Sequence, residues 1–472
     1  MNFKKVCLYC GQSVDSLSYS CNCKSDHWVR QYRAMDLDID IENIRDSITA
    51  SFNAYSFNHP AGMLQYYGLP FQHFAPKDIE TVGLTPLYEL NRLGEQYGCR
   101  AFLKNEGNNP SGCFKDRETM MCFLNSKSKG IKNAVIYSSG NAAASAASFA
   151  ENTEQQLITF VSGDTYPEKI DYIRDHGSDV VVIGDKETPF ETGYRLYSQI
   201  NASELFSKSR FDDWSVRNPF RVQGDKTISV EITKQLFSTD ENLAPDFVLV
   251  PTANGSCLAG IWKGFKELKE TGIITKLPRM ISVGIKNANP VYEAVQQRQT
   301  ERPVRCDLSK VDAEDAEVGS IILAEEGYDS IQAAKAVIES NGIAVGLHQS
   351  DIQKALVDFL NLEGELAVKH EILPEPAALT SIAAIKKVKE QIPVSPADIL
   401  VSISTGHGLK AEKVISSLLS QRTDLQEKVQ KIVAKRENHM RDASGEQGRK
   451  VRVEANLEAV TDAFFQLQKL PA

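Results

Sequence analysis

The feature that most constrains this chain is a recurring unit: a short apolar, β-prone run ends in a glycine turn and opens into a helix-prone segment. AVIYSS (Ala134 to Ser139) passes through GN into AAASAASFAEN, LITFVSG precedes TYPEKIDYIRDHG, and DVVVIGD precedes PFETGYRLYSQI. Further on, DFVLVPTA (Asp246 to Ala253) turns at NGS into CLAGIWKGFKELKE and RMISVGI (Arg279 to Ile285) leads to PVYEAVQQR. ILVSIST (Ile399 to Thr405) turns at GHG into LKAEKVISSLL. Short, near-continuous apolar runs are strands buried on both faces. Strands that alternate with helices imply right-handed crossovers and parallel sheets. Ligands of such sheets sit beyond the carboxyl ends of the strands, where these glycine turns lie.

At 472 residues the chain has room for two or three domains and a large core. A formal net charge of −9, with no dense Lys/Arg stripe, argues against nucleic-acid binding. No run has the apolar length to span a bilayer, and the start MNFKKVCLYC lacks the apolar core of a signal peptide. The default is a cytoplasmic enzyme with a small-molecule substrate and neither membrane nor nucleic acid as partner. Four of the nine cysteines, Cys7, Cys10, Cys21 and Cys23, crowd the first residues as a C-x2-C and a C-x-C pair. Four thiolates beside turn residues suit one structural Zn2+ in a small ribbon; reduced thiols on a hairpin are the first alternative and a disulfide pair the second.

Lys104 to Arg117, KNEGNNPSGCFKDR, delivers a strand into a turn made by Pro110, Ser111 and Gly112, then an apolar anchor, Phe114, then Lys115. A lysine in an apolar pocket sheds its proton more readily and can attack a carbonyl or imine, which makes Lys115 a candidate Schiff-base residue. Three other strand ends belong with it. Ser138 to Ser145 (SSGNAAAS) puts Ser138, Ser139, Gly140, Asn141 and Ala142 at a helix start, where unpaired N–H groups suit a carboxylate. Pro251 to Gly260 (PTANGSCLAG) offers Ala253, Asn254, Gly255, Ser256 and Cys257 as a backbone nest for a phosphate. Ser404 to Lys410 (STGHGLK) ends a strand on Thr405, whose hydroxyl can meet a ring nitrogen without forcing it to be protonated; His407 reads as a satisfied turn histidine. A lysine for an imine, a phosphate nest, a neutral contact for a pyridine nitrogen and an amide for a ring hydroxyl are together the requirements of pyridoxal 5'-phosphate. Neither GxxxxGK[ST] nor a GxGxxG after a strand is present.

On these motifs the chain resembles the threonine synthase family of fold-type II pyridoxal-phosphate enzymes over roughly residues 84–410, in the family's order. NPSGCFKDR is similar to its lysine motif, SSGNAAAS to its substrate and cofactor loop, and VPTANGSCLAGIWKGFKEL to its phosphate loop. RNPFRVQGDKTISVEI, Arg217 to Ile232, is similar to the segment before the phosphate strand, and ISTGHGLK to the closing segment. The resemblance implies Lys115 as the Schiff-base lysine, Asn141 at the cofactor's 3'-oxygen, Ser138 and Ser139 at a substrate carboxylate, and Thr405 at the pyridine nitrogen. It implies a carbon–oxygen lyase that forms threonine from O-phosphohomoserine or acts on a related activated amino acid. Alternatives are β-replacement on O-phosphoserine or O-acetylserine, ammonia release from serine or threonine, and a non-enzymatic amino-acid-binding regulator.

The expected architecture is α/β with two parallel-sheet domains and an N-terminal Cys-rich ribbon. Residues 1–35 would form the ribbon, 36–83 an arm, 84–115 with 218–423 a large cofactor-binding domain, 116–217 a small mobile domain, and 424–472 a helical tail; a homodimer is the expected assembly. The departures concern the ligand. Glu118 stands where the family has glycine after KDR, Ala142 where threonine is usual, and Ala253, Ser256 and Cys257 where Gly, Gly and Asn are common. A site that loses polar partners loses discrimination for the group they would bind. The substrate therefore need not be O-phosphohomoserine.

Overall fold

The computed structural model describes residues 3–8, 10, 12–14, 35–71, 81–153, 155–188, 190–201, 203, 206, 209–237, 244–312, 315, 327, 329–437 and 447–468. Strands are numbered β1 (Phe3–Cys7), β2 (Ser13–Val14), β3 (Met35–Ile39), β4 (Leu87–Glu89), β5 (Arg100–Asn105), β6 (Asn133–Tyr137) and β7 (Gln156–Ser162). They continue with β8 (Asp179–Ile183), β9 (Phe211–Asp213), β10 (Phe247–Pro251), β11 (Arg279–Ile285), β12 (Ile343–Leu347), β13 (Ile399–Ser404) and β14 (Lys450–Val453). The larger sheet has the order β12-β11-β10-β13-β5-β4, parallel except for β4, and the smaller the order β14-β8-β7-β6-β9, parallel throughout. The α/β architecture with two parallel sheets is thus present. A third, antiparallel sheet, β2-β1-β3, stands at the N-terminus.

Every residue of β8, β10 and β13 is buried, as parallel strands covered by helices on both faces require. One apolar cluster runs between the two parallel sheets, from Val248 and Val401 to Ala134 and Val180, by way of Phe123, Ile228 and Phe265. At its centre lies the helix Phe220–Leu236, in which 15 residues are buried although Arg221, Gln223, Asp225, Lys226, Thr227, Ser229, Glu231 and Thr233 are polar. It packs closely on the Ser256–Glu270 helix: a Cβ at Gly260 would come within 2.4 Å of Asp225, and one at Gly264 within 2.1 Å of Ser229.

The segment expected as an arm is docked on this central helix. Its helix Ile41–Ala54 buries only Ile41, Ile48 and Phe52, a stripe too narrow to show as a period. Tyr55 donates to Glu231 (3.0 Å), Tyr66 to Glu267 (3.1 Å), and Lys226 to the Gly68 carbonyl (2.8 Å). Buried polar groups need such partners. Cys7 ends β1 and is buried, Cys10 is exposed, and Cys21 and Cys23 lie outside the described residues.

The expectation of a helical tail needs correction. Helix Thr423–Glu437 buries Leu425, Val429, Ile432 and Val433 in the cluster beside the larger sheet. The chain then adds β14 to the edge of the smaller sheet, in parallel register with β8, and helix Leu457–Leu467 covers that sheet with Val460, Phe464 and Leu467. KVRV alternates between exposed and half-buried residues, the pattern of an edge strand. No described helix is long and apolar enough to cross a membrane.

Candidate active site

In the larger sheet β5, β13 and β10 are neighbours, so their carboxyl ends lie side by side. The turn after β5 carries Lys115, β13 ends at Thr405, and β10 leads to Asn254 and Gly255. The turn after β6 of the smaller sheet brings Asn141 to the same place. Backbone bonds zip two of these turns together: the Phe114 N–H donates to the Thr405 carbonyl (3.0 Å) and the His407 N–H to the Gly112 carbonyl (2.8 Å).

Lys115 opens the helix Lys115–Ser128, and its Nζ lies 4.3 Å from the centroid of the Phe114 ring. The two residues that follow are clamps. Asp116 accepts from the Ser111 N–H (2.7 Å), the Ser111 hydroxyl (2.6 Å) and the Ser145 hydroxyl (2.6 Å). Arg117, fully buried, donates to Glu106 (2.7 and 2.9 Å) and Glu231 (2.8 and 2.8 Å). The turn that presents Lys115 is thus fixed on both sides.

Glu118, one turn further on the same helix face, accepts from Lys115 at 2.9 Å on both oxygens. It also accepts from Arg221 Nε (2.8 Å) and Nη2 (2.7 Å) and from the Ser256 hydroxyl (2.7 Å). Burial would raise its pKa, but the charges of Arg221 and Lys115 and the Ser256 hydrogen bond outweigh burial and hold the carboxyl down to about 2. Ser256 begins the Ser256–Glu270 helix, whose start no side chain caps, and Gly255 before it has φ +104°. Only glycine fits there: a Cβ would come within 2.7 Å of Ala333 and 2.9 Å of the Asp329 carbonyl.

Asn141 begins the Asn141–Asn152 helix, which also has no side-chain cap. Its Nδ2 donates to both oxygens of Glu375 at 3.0 Å, while the Glu375 N–H donates to the Gly406 carbonyl (2.9 Å). Burial raises the Glu375 carboxyl, against Lys410, Asn141 and Lys169. Ser138, Ser139 and Ala142 are half-buried and Gly140 is exposed. Ala253 and Asn254 are half-buried, Cys257 is buried, and Thr405 is buried at the strand end.

His407 is a structural group of the closing turn. Its Nδ1 accepts from the Leu409 N–H (3.1 Å), and Nε2, 3.0 Å from the Glu371 carbonyl, donates to it. Burial, with Arg436 next, pushes the imidazole down to about 4. A base with a depressed folded pKa stabilises the fold fully above its unfolded value near 6.5, and that contribution is lost as pH falls from there towards 4. Urea midpoints measured from pH 7 to pH 4 should fall more steeply in the native protein than in His407→Asn, by on the order of 2 kcal/mol over the interval.

The structure ties the turn of Phe114 and Lys115 to Thr405 by a backbone bond and, through Glu118, to Ser256 of the loop that runs from Ala253 to Cys257, and it sets Asn141 on Glu375, next to the Gly406 carbonyl. It adds Arg221, Asp225, Glu375 and Asp329, which carried no chemical signal of their own. Arg221 and Asp225 lay inside a segment singled out by resemblance alone. Glu375 is marked in sequence only as the residue before a proline-started helix.

Comparison with known proteins gives the family and the fold. The sequence matches the family described as pyridoxal-phosphate dependent enzyme over residues 79–406. It is 29% identical to a threonine synthase of Methanocaldococcus jannaschii over 413 residues, 86% of this chain and 92% of that protein. It is 26% identical to a threonine synthase of Methanosarcina acetivorans, covering 88% of this chain and 94% of that one. Among solved structures, diaminopropionate ammonia lyase from Escherichia coli (TM-score 0.56, 12% identity, 80% of this chain and 92% of that one) shares the fold. So does threonine deaminase isoform 2 from Solanum lycopersicum (TM-score 0.53, 19% identity, 80% and 93%).

Proposed function

Because the chain belongs to the family of pyridoxal-phosphate dependent enzymes, we propose that it is a lyase of the threonine synthase type. It takes the α-proton from an amino acid and cleaves a carbon–oxygen bond in that amino acid's side chain. The observation that carries this reading is the meeting of the Lys115 turn with the Thr405 turn and, through Glu118, with Ser256, while Asn141 joins the Thr405 side through Glu375. The residues present fit the cofactor. The Ser256–Glu270 helix start is uncapped, and Gly255 is held in the left-handed region where a Cβ would come within 2.7 Å of Ala333.

When bound, pyridoxal phosphate supplies an electron sink for charge that develops at the α-carbon. The backbone N–H groups of Asn254, Gly255, Ser256 and Cys257 hold the phosphate, with the helix dipole behind them. Asn141 holds the ring oxygen, and the Thr405 hydroxyl meets the ring nitrogen as a neutral partner, which disfavours transamination. Ser138 and Ser139, with the uncapped start of the Asn141–Asn152 helix and the small residues Gly140 and Ala142, receive the substrate carboxylate. Lys115 is the group that holds and moves the α-proton, with Phe114 fixing its stem.

The relatives named threonine synthase support formation of threonine from O-phosphohomoserine as the first substrate to test. The test is to reconstitute the purified protein with cofactor and record its absorbance. O-phosphohomoserine, O-phosphoserine, O-acetylserine, serine and threonine are then titrated in turn, with products identified by mass spectrometry. A cofactor band that responds to at least one of them with loss of the side-chain oxygen group is the expected result. Racemisation without carbon–oxygen cleavage, or no band at all, would overturn the proposal.

A further inference from the structure

In the lyase reading the cofactor ring takes its two polar contacts from both parallel sheets: Asn141 follows β6 of the smaller one, and Thr405 follows β13 of the larger. Glu375 joins the two. It stands directly before the helix Pro376–Gln391 and is only 6% exposed. Its backbone is sewn to the closing turn: its N–H donates to the Gly406 carbonyl (2.9 Å), and Pro374 pairs with His407. Its carboxylate lies against Gly406, where a Cβ would come within 2.4 Å of Oε1, so glycine is what leaves it room. From there it reaches Asn141, its hydrogen-bond donor among the described residues, with Nδ2 3.0 Å from each oxygen. Lys410, which donates to the Ser111 carbonyl (2.8 Å), and Lys169 face the carboxylate and favour its charged form against burial.

Seen from Nδ2, the two oxygens of one carboxylate are much closer in angle than the two N–H bonds of an amide. One N–H of Asn141 is therefore shared between both oxygens of Glu375, and the other is left over. A carboxylate accepts and does not donate, so it also decides which end of the amide faces it: Nδ2 and not Oδ1. Burying a carboxylate costs more than burying an apolar residue in the same place, and what the charge gives in return is direction. We propose that Glu375 is a positioning residue for the cofactor: through it the Asn141 amide presents an N–H to the ring oxygen at a place fixed relative to Thr405. This rests on the placement of the ring in the lyase reading and adds a residue to it. A glutamine at position 375 loses the direction, because its own amide can donate to Asn141 Oδ1 and turn the N–H groups away. An aspartate keeps the charge near Lys410 but stops short of Asn141.

The test is the binding of two ligands to the full-length protein, which needs no turnover. Pyridoxal phosphate and its analogue without the ring hydroxyl, 3-deoxypyridoxal phosphate, are each titrated by absorbance and fluorescence. Glu375→Gln should weaken pyridoxal phosphate by about tenfold, the worth of one well-placed hydrogen bond, and the deoxy analogue by less than about threefold. Asn141→Ala should weaken pyridoxal phosphate at least as much, and adding Glu375→Gln to it should cost less than about threefold more. Glu375→Asp should behave as Glu375→Gln does, and it decides alone if the glutamine variant does not fold. A carboxylate that only supports the fold gives equal losses for both ligands, or the same loss with and without Asn141. Either result would overturn the proposal, as would an unchanged affinity for pyridoxal phosphate in the Glu375 variants. An unchanged affinity in Asn141→Ala would remove both this proposal and the assignment of Asn141 to the ring oxygen. Binding as expected without carbon–oxygen cleavage would strike the lyase reading alone.

Discussion

Lys115→Ala is expected to lose the cofactor absorbance band and to lower turnover by about 10³-fold or more, because one side chain supplies both the attachment point and the α-proton transfer. The fold should survive. The Lys115 side chain is 15% exposed, and its anionic partner Glu118 keeps Arg221 and the Ser256 hydroxyl when the ammonium is gone. The other lysine of the same stretch makes the contrast. Lys104 is fully buried and donates to Glu231 (2.7 Å), the Thr85 carbonyl (2.6 Å) and Gln235 (3.0 Å), so it belongs to the scaffold and not to the chemistry. Circular dichroism and the absorbance spectrum of Lys115→Ala, recorded beside its activity, separate these roles. A band and a turnover near the native level in Lys115→Ala would remove Lys115 from the reaction.

The parallel strands are legible because burial on both faces leaves them as unbroken apolar runs, as in DVVVI and FVLVP. The turns that follow are legible because the approach to a strand-end ligand demands glycine and small residues, as at Gly255. Elements whose stability comes from pairing are hidden. The helix Phe220–Leu236 is polar at more than half its positions, and nothing local says that Glu231 meets Arg117 from 114 residues away. β14 is hidden for the opposite reason: KVRV, charged and half-exposed, takes its strand form from the edge of β8. In the candidate site, Lys115, Asn141 and Thr405 could be singled out because each sits beside its own turn. Arg221, Asp225 and Asp329 reach Glu118 only through the packing of separate segments. Glu118 itself was visible as a departure from the resembled motif, but its chemical meaning needed the positions of its three partners.

Glu231→Ala should destabilise the protein by about 3–5 kcal/mol, the typical cost of leaving a buried charge without its partner. Four fully buried groups, Lys104, Arg117, Glu106 and Glu231, form a quartet of balanced charge under the turn that carries Lys115. Glu231 is its hub, accepting from Lys104 (2.7 Å), Arg117 (2.8 and 2.8 Å), Tyr55 (3.0 Å) and the N–H groups of Leu84 (2.8 Å) and Thr85 (3.1 Å). Burial opposes ionisation of Glu231, but Arg117 and Lys104 overcome it and hold the carboxyl well below its usual range. An acid depressed in this way stabilises the fold above its unfolded pKa and ceases to do so as pH falls, so the native protein should weaken in acid more than Glu231→Ala does. Removing the carboxylate leaves two cations against Glu106 alone and frees the ends of β4 and of the N-terminal segment at the same time. Urea unfolding at neutral pH, with the cofactor band as a second probe, gives the measurement. A midpoint unchanged within about 1 kcal/mol would mean that solvent reaches Lys104 and Arg117 once the carboxylate is removed. A loss of the full amount would show that Lys104 and Arg117 stay buried without their counter-charge, so that Glu231 is needed to hold the platform on which Lys115 is presented.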